Sequence, residues 1–585
     1  MSKLIFLCFK DSSLKSVYRN RIEEISRKLL PDNIDPVNSK IIEGDGILYS
    51  IVNPVNSVIT TSGSVLLGKI FGNDLRWNTP QQNYPDGSYA IFRSDEKVVE
   101  IVSDVVASRS IWYYKNDEIF ISSTSQRAII NFLGSLDFNK YIIPWMMSSG
   151  TLGPSHSWDS RIKFLEPDSS IILSRSSWEL KKKTRKIEFQ ASSFSDKEYE
   201  NSFKKALSET FTSLNLDFTK WILPLSGGYD SRGILCFLQY VGKNVTNLKA
   251  ITWGLNESRN QKGNDAYVAK KLADHFKIDH QYYSTNISKE SFDVVINRFL
   301  VCGEGRIDHI GGYLDGLNIW KALFETQIEG VIRGDVSFSS KPAESPAQIR
   351  KMQGIPLCTD FSNLKDYQSY GFEKQELPEE LDQLPNENLA MWRDRLYHQF
   401  RMPVILAALN DLKVAYVEVI NPLLSRKIVY LTRKLPNHLR SNKSLFKKII
   451  SSISPAIPYA TSGATEDIRQ VLRSLEIVQL FIEELSKDNS KEIFTSKFID
   501  YVLENIKAQE YSHSFPLKNI LKRFIPRSII NKVPKSSISK LDFNILAFRM
   551  YLVCKMRNIL LDDLKINKPI TTYLKQEEFS TINHN

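Results

Sequence analysis

The chain has 585 residues, 42% of them hydrophobic and 24% charged, with a formal net charge of +11. That length exceeds one ordinary core, so two or three domains are expected, and the composition excludes a disordered chain. Spread over so long a chain, the charge excess describes a generally basic surface and does not by itself specify a polyanionic ligand. Cys8, Cys236, Cys302, Cys358 and Cys554 stand far apart with no CxxC spacing, against a disulfide framework and against a zinc knuckle. The first apolar run is too short for a signal peptide, and no run approaches the roughly 20 residues of a membrane span. A cytoplasmic protein without membrane contact is expected.

The first third reads as β-rich. Tyr89-Ala-Ile-Phe92 and Val98-Val-Glu-Ile-Val102 flank the polar turn 94–97, and Ile111-Trp-Tyr-Tyr114 and Ile119-Phe-Ile-Ser122 flank 115–118. Both are hairpin signatures. A tract rich in Ser and Lys, Ser174 to Thr184, leads towards a different texture. Ser195 with Glu198 makes a capping box, and Tyr199, Phe203, Ala206, Leu207 and Phe211 follow at helical spacing, so a domain boundary is placed at 192/193.

Beyond the cap, strands and helices alternate. Trp221 to Leu225 reads as a strand, Ser231 to Tyr240 as a helix, Leu248 to Trp253 as a strand, and Ala266, Ala269, Leu272, Ala273 and Phe276 as a helical stripe. This is the pattern of a parallel sheet with helices on both faces. From about Thr465 the chain turns helical and basic, with Lys518, Lys522, Arg523, Arg527, Lys532, Lys535 and Lys540 read as a solvated face broken by Pro516, Pro526 and Pro534.

The strongest chemical signal is Leu225-Ser-Gly-Gly-Tyr-Asp-Ser231, between a strand and a helix. Gly227 and Gly228 permit close backbone approach and conformations that a side chain would block. Their N–H groups, the Ser226 and Ser231 hydroxyls and the positive end of the helix form an anion cradle. Asp230 is out of place there unless a cation such as Mg²⁺ bridges it to phosphate oxygens. The loop lacks the lysine of the GxxxxGK[ST] type.

SGGxDS after an apolar strand resembles the pyrophosphate loop of the ATP pyrophosphatases. Over roughly residues 1–465 the chain resembles the asparagine synthetases, β-lactam synthetases and lasso-peptide cyclases. Asp86-Gly-Ser-Tyr-Ala-Ile-Phe92, Asp104 with Trp112-Tyr-Tyr114, and Phe120-Ile-Ser-Ser123 look like segments of the family's N-terminal half. Ile251-Thr-Trp-Gly254, Asn264-Asp-Ala-Tyr267, Val331-Ile-Arg-Gly-Asp335 and Val417-Glu-Val-Ile-Asn-Pro-Leu-Leu424 look like its synthetase motifs. The resemblance implies a mixed α/β and α+β multidomain protein. Residues 1–192 would form an N-terminal-nucleophile-type αββα glutaminase-like sandwich, 193–465 an α/β ATP-pyrophosphatase domain, and 466–585 a helical C-terminal region.

It further implies ATP and Mg²⁺, with Asp230 and Asp335 as catalytic, metal-binding carboxylates. Leu225, Ser226, Gly227, Gly228, Asp230, Ser231, Thr252, Trp253, Gly254, Arg333 and Gly334 would contact the nucleotide. The chain departs from the family at Ser2, where a working glutaminase has Cys, and at the glutamine-binding segment, whose nearest stretch is Thr61-Ser-Gly-Ser-Val65. Val336 replaces the Glu after the metal aspartate, and Tyr459-Ala-Thr-Ser-Gly463 lacks the family's lysine. Lys443, Lys447 and Lys448 in the preceding helix are candidates to replace it, against the plainer reading of three lysines on a surface helix.

The implied activity is adenylation of a small-molecule or peptide carboxylate and transfer of the acyl group to an amine, without glutaminase chemistry, in specialised biosynthesis. A glutamine-dependent synthetase using Ser2, a non-catalytic ATP-binding interaction protein and a nucleic-acid-modifying relative are the alternatives; nucleic acid and membrane are not expected partners, and a homodimer stays open. Asp308, His309 and Tyr313 precede Asp335 in a segment where an acceptor's base would lie, but spacing does not place them.

Overall fold

The computed structural model describes all residues except 1–2, 55–56, 62, 286–287, 339–341, 466–467, 510–538 and 566–585. Ser2 and the basic run from Lys518 to Lys535 therefore lie outside the described residues.

The N-terminal part contains β1 (Lys3–Phe9), β2 (Lys40–Gly44), β3 (Ile47–Val52), β4 (Ile59–Thr61), β5 (Ser64–Ile70), β6 (Gly87–Ser94), β7 (Val98–Ser103), β8 (Trp112–Lys115), β9 (Ile119–Ser123), β10 (Lys163–Phe164), β11 (Ser169–Ser174) and β12 (Leu180–Thr184). They form two six-stranded antiparallel sheets, ordered β10-β8-β9-β1-β3-β2 and β12-β11-β7-β6-β5-β4. Both predicted hairpins are present, as β6–β7 and β8–β9.

Side-chain alternation makes the layers. In β1, Leu4, Phe6 and Cys8 face the second sheet, whereas Ile5, Leu7 and Phe9 face helices α1 (Lys15–Lys28) and α2 (Gln126–Leu133). Cys8 is sealed between the sheets, where burial pushes its thiol up to about 11, so it is inert packing.

The expected αββα arrangement is altered on its far side. Trp77 and Tyr84, from the connection 71–86, pack over Leu66, Tyr89, Ile91 and Val102 where the fourth, helical layer was expected. The buried pair Arg93–Glu100 (2.8 Å) anchors this connection, since Arg93 also donates to the carbonyls of Trp77 and Gln82. Strand β12 falls in the Ser- and Lys-rich tract that gave no strand signal. Its Lys181, Lys182 and Lys183 are exposed at a sheet edge, where charge blocks further pairing.

Next come α3 (Ile142–Ser149) and α4 (Asp196–Ser213), the latter opening on the predicted Ser195–Glu198 capping box. A parallel sheet follows: β13 (Trp221–Pro224), β14 (Lys249–Gly254), β15 (Asp279–Ser284), β16 (Gly330–Ile332) and β17 (Glu418–Ile420), ordered β15-β14-β13-β16-β17. Helices α5 (Tyr229–Tyr240), α6 (Asp265–Phe276) and α7 (Phe292–Gly303) accompany it. Leu223, Ala250, Ile332 and Ile420 face one core with α4, α5 and α6, while Ile222, Ile251, Val331 and Val419 face another with α7. Burial on both faces explains the apolar character of the inner strands β13 and β16, whereas the edge strand β15, Asp279-His-Gln-Tyr-Tyr-Ser284, is polar.

The helix Phe543–Lys565 is apolar around most of its circumference and lies in the same core as residues of β1, α2, α3 and α7. Its Asp563 accepts two bonds from Arg127 (2.7 and 3.0 Å) and one from Asn131 (2.9 Å). This helix is thus built into the core that it shares with the N-terminal sandwich.

Candidate functional site

The order of the parallel sheet reverses at β13, so the carboxyl ends of β13, β14 and β16 open onto a crevice at a topological switch point. The loop 225–231 occupies it. Leu225 stays in the sheet through its N–H to the Ile251 carbonyl (2.8 Å). The loop then folds on itself: the Ser226 N–H donates to Ser231 Oγ (2.9 Å), and the two hydroxyls lie 3.0 Å apart. Helix α5 starts at Tyr229, two residues earlier than predicted, and Gly228 at its N-cap supplies no side-chain cap. The first N–H groups of α5 therefore face the crevice with the positive end of the helix dipole.

The two loop glycines differ in purpose. Neither has a positive φ, so conformational freedom is not the reason for either. A Cβ on Gly227 would lie 2.6 Å from Ala460 Cβ and 2.8 Å from Val268 Cβ, and the Gly227 N–H is taken by Asp265 Oδ1 (3.1 Å). Gly227 is a packing requirement. A Cβ on Gly228 would meet only Ser226 Oγ at 3.4 Å, leaving its outer side open to a ligand. Gly227→Ala is expected to destabilise the fold by about 1–3 kcal/mol, as overpacking does, read from urea denaturation.

Residues 459–465 cross over the loop as a strap. The Ala460 N–H donates to the Gly227 carbonyl (3.0 Å), the Asp265 N–H to Ser462 (3.0 Å) and the Leu255 N–H to Ala464 (2.8 Å). Buried Arg232 fixes the strap's near end by donating to the carbonyls of Ile457 (2.7 Å) and Pro458 (3.1 Å), beneath the stacked rings of Tyr229 and Tyr459.

Leu225, Ser226, Asp230, Ser231, Thr252, Trp253, Arg333, Gly334 and Asp335 line one cavity of about 300 Å³. Gly227, Gly228 and Gly254 do not; Gly254 is covered by Ala464, whose Cβ would be 2.4 Å from an added one. Thr252 holds the strand ends together, with Oγ1 donating to the Leu225 carbonyl (2.6 Å). A Cβ on Gly334 would lie 3.0 Å from the Ser231 backbone nitrogen, so the end of β16 rests directly on the start of α5.

Two carboxylates face this cavity with spare capacity. Asp230 Oδ1 and Asp335 Oδ2 are buried and lack a hydrogen-bond partner. Burial pushes the Asp230 carboxyl up, as does the charge of Asp335, against the opposing pull of Lys443. Among the described residues no group of three or more His, Cys, Asp or Glu is placed to hold a metal ion. Two carboxylates with orphaned oxygens nonetheless fit a hard divalent cation whose remaining ligands are phosphate and water.

Lys443 is the residue whose place the sequence did not reveal. Its Nζ lies 2.5 Å from Asp230 Oδ2. The two residues Asn442 and Lys443 both adopt left-handed conformations (φ 55° and 58°), each costing on the order of 1 kcal/mol. That backbone turn aims the side chain at the loop, and nothing in the residue pattern announces it. Lys448, itself exposed, pairs instead with half-buried Glu200, and Lys447 lies over the Tyr229 ring. Val336 is buried in the apolar core, so its side chain has no part in the cavity. Asp265 and Gly463 to Thr465 line the cavity as well.

Trp253 and Arg333 also border a second cavity, which contains Asp308, His309 and Tyr313. Burial pushes the Asp308 carboxyl up, but Arg549 and His309 beside it outweigh this and hold it at about 2. A depressed carboxyl contributes stability that is present above its ordinary value near 3.8 and is lost as pH falls through its folded value. Between about pH 4 and pH 2 the wild type is expected to lose about 2 kcal/mol more unfolding free energy than Asp308→Asn, by denaturant titrations at each pH.

Residues 203–298 match the family model for asparagine synthase. The span runs from α4 through the loop and β15 into α7, and it supports an asparagine synthetase-like family, one of ATP-dependent carbon–nitrogen ligases. No curated protein matches the chain.

Proposed function

We propose, from that asparagine synthetase-like segment and the crevice it builds, that the protein adenylates a carboxylic acid and passes the acyl group to an amine. The observation that carries this reading is the pair of carboxylates Asp230 and Asp335, which line one cavity beside the uncapped start of α5 and each keep one buried oxygen, Oδ1 and Oδ2, without a hydrogen-bond partner. ATP lies with its β- and γ-phosphates on residues 226–231 and its adenine towards Thr252 and Trp253. The carboxylate oxygen attacks the α-phosphorus, the bond to the bridging oxygen breaks, and pyrophosphate leaves with the electron pair. The amine nitrogen then attacks the acyl carbon, AMP departs with the C–O electron pair, and the nitrogen gives up a proton.

Mg²⁺ held by Asp230 and Asp335 would neutralise phosphate charge there. This chain's own residues orient and balance the rest. Arg333, tied to Asp335 (3.1 Å), stands between the two cavities, where the α-phosphate meets the acid. Lys443 supplies the positive charge that the strap lacks.

The N-terminal sandwich serves as a scaffold in this reading. Its first described residue, Lys3, is buried and paired with Glu304 (3.1 Å), and Arg109 pairs with buried Glu418 on β17. Nucleotide products resolved by chromatography after turnover test the proposal: AMP and pyrophosphate are expected, whereas ADP and phosphate would contradict it.

A further inference from the structure

The second cavity has a volume of about 520 Å³. That lies in the range of pockets holding drug-sized ligands and far exceeds the needs of a four-carbon amino acid. Much of its wall is apolar. Trp253 and Trp320 meet edge to face with centroids 5.8 Å apart, and Leu472, Ile545 and Phe548 complete the lining from the C-terminal region.

Its polar lining includes two basic side chains, half-buried Arg333 and buried Lys413. Arg333 Nε is buried without a partner. Lys413 is 3% exposed, and its ammonium donates to Tyr313 Oη (2.8 Å) and to the Leu409 carbonyl. An ammonium has three donors; two are used in these bonds, and the nitrogen also lies 5.6 Å from the centroid of the Trp320 ring in the cavity wall. The acid on this surface, Asp308, is already engaged by Arg549 (2.7 Å) and His309 (3.0 Å). Burial and the neighbouring Arg333 charge hold Lys413 well below the usual lysine range, a penalty that an entering anion relieves.

We propose that this cavity binds a carboxylic acid with a large apolar body, its carboxylate at Arg333 and Lys413 and its body against Trp253, Trp320 and Phe548, so that the helix Phe543–Lys565 forms part of the substrate pocket. The fate of the bound acid rests on the adenylation reading; its binding does not. The shared border at Arg333 puts the carboxylate next to the nucleotide cavity, and the bulk of the acid extends away from it. The C-terminal region is thereby given a purpose beyond stability.

Two variants of the full chain separate charge from space. Lys413→Met keeps the volume and removes the ammonium. Gly312→Phe adds a ring at the cavity border, where a Cβ meets nothing within 4 Å and φ is not positive, so the fold accommodates it. Binding is measured by calorimetry with hexanoate, 4-phenylbutyrate, its amide and aspartate, on proteins whose urea transitions show that they are folded.

The wild type is expected to bind 4-phenylbutyrate at least tenfold tighter than its amide or aspartate. Lys413→Met should reduce the acid-over-amide preference, with Arg333 left to supply the remainder, and Gly312→Phe should weaken 4-phenylbutyrate at least tenfold. Aspartate binding as tightly as the apolar acids, or apolar-acid binding unchanged in both variants, would overturn the proposal. Apolar-acid binding without pyrophosphate exchange by any acid would sink the adenylation reading and leave the pocket standing; exchange driven by aspartate without apolar-acid binding would do the reverse.

Discussion

Asp230→Asn is expected to lower acid-dependent turnover of ATP by roughly 10²–10³-fold, the scale of losing one preorganised charge-stabilising group at a reacting centre. The substitution keeps the side chain's shape and its acceptor for Lys443, so the loop should remain folded. What it removes is the negative charge that, with Asp335, lines the cavity and holds a buried oxygen without a partner. Asp335→Asn should fall in the same range, and the double variant should add little, because both carboxylates serve one charge. Initial rates over a range of Mg²⁺ concentrations check this. A loss recovered at high Mg²⁺ would place the defect in metal affinity, whereas variants as active as the wild type would remove both residues from the chemistry.

Asp563→Ala should cost about 3–5 kcal/mol of stability, the penalty for stranding one partner of a buried ion pair. Arg127 is 5% exposed, both of its bonds to the carboxylate would vanish, and Asn131 would lose an acceptor. Because the carboxylate ties the end of the Phe543–Lys565 helix to α2 of the N-terminal sandwich, the whole molecule should unfold at lower urea. Adding Arg127→Met to Asp563→Ala should recover part of the loss, since the stranded charge is gone. If Asp563→Ala left the transition unchanged, the C-terminal helix would be an appendage and not part of the core.

Local patterns carried much of this architecture. The hairpins at 89–102 and 111–122, the Ser195–Glu198 capping box and the alternation from Trp221 to Phe276 have period-2 or period-3.6 signatures that tertiary contacts reinforce. The loop 225–231 was legible because its residue types are chemically unusual between a strand and a helix. Other features were hidden for physical reasons. Strand β12 is an edge strand whose lysines serve solubility, so it carries no apolar alternation. The integration of helix Phe543–Lys565 depends on partners more than 400 residues distant, such as Arg127 and Met147.

The site shows the same division. Gly227 drew notice as a flexible residue, yet its reason is contact with Ala460 on a strap more than 200 positions away. Lys443 looked like one of three surface lysines until a left-handed turn directed it to Asp230. Asp308, His309 and Tyr313 could not be placed by spacing, and the fold brings them to a cavity that adjoins the nucleotide crevice at Trp253 and Arg333. Side chains converging from β14, the segment after β16, α3 and the C-terminal helix cannot be read from any one window of sequence.

Exchange of labelled pyrophosphate into ATP tests the central claim most directly, because it reads reversal of the first chemical step and needs no knowledge of the amine. With wild-type protein, Mg²⁺ and a panel of monocarboxylates, amino acids and cell extract, label is expected in ATP only when an acid is present. Absence of exchange with every acid, in protein shown by calorimetry to bind ATP, would contradict adenylation.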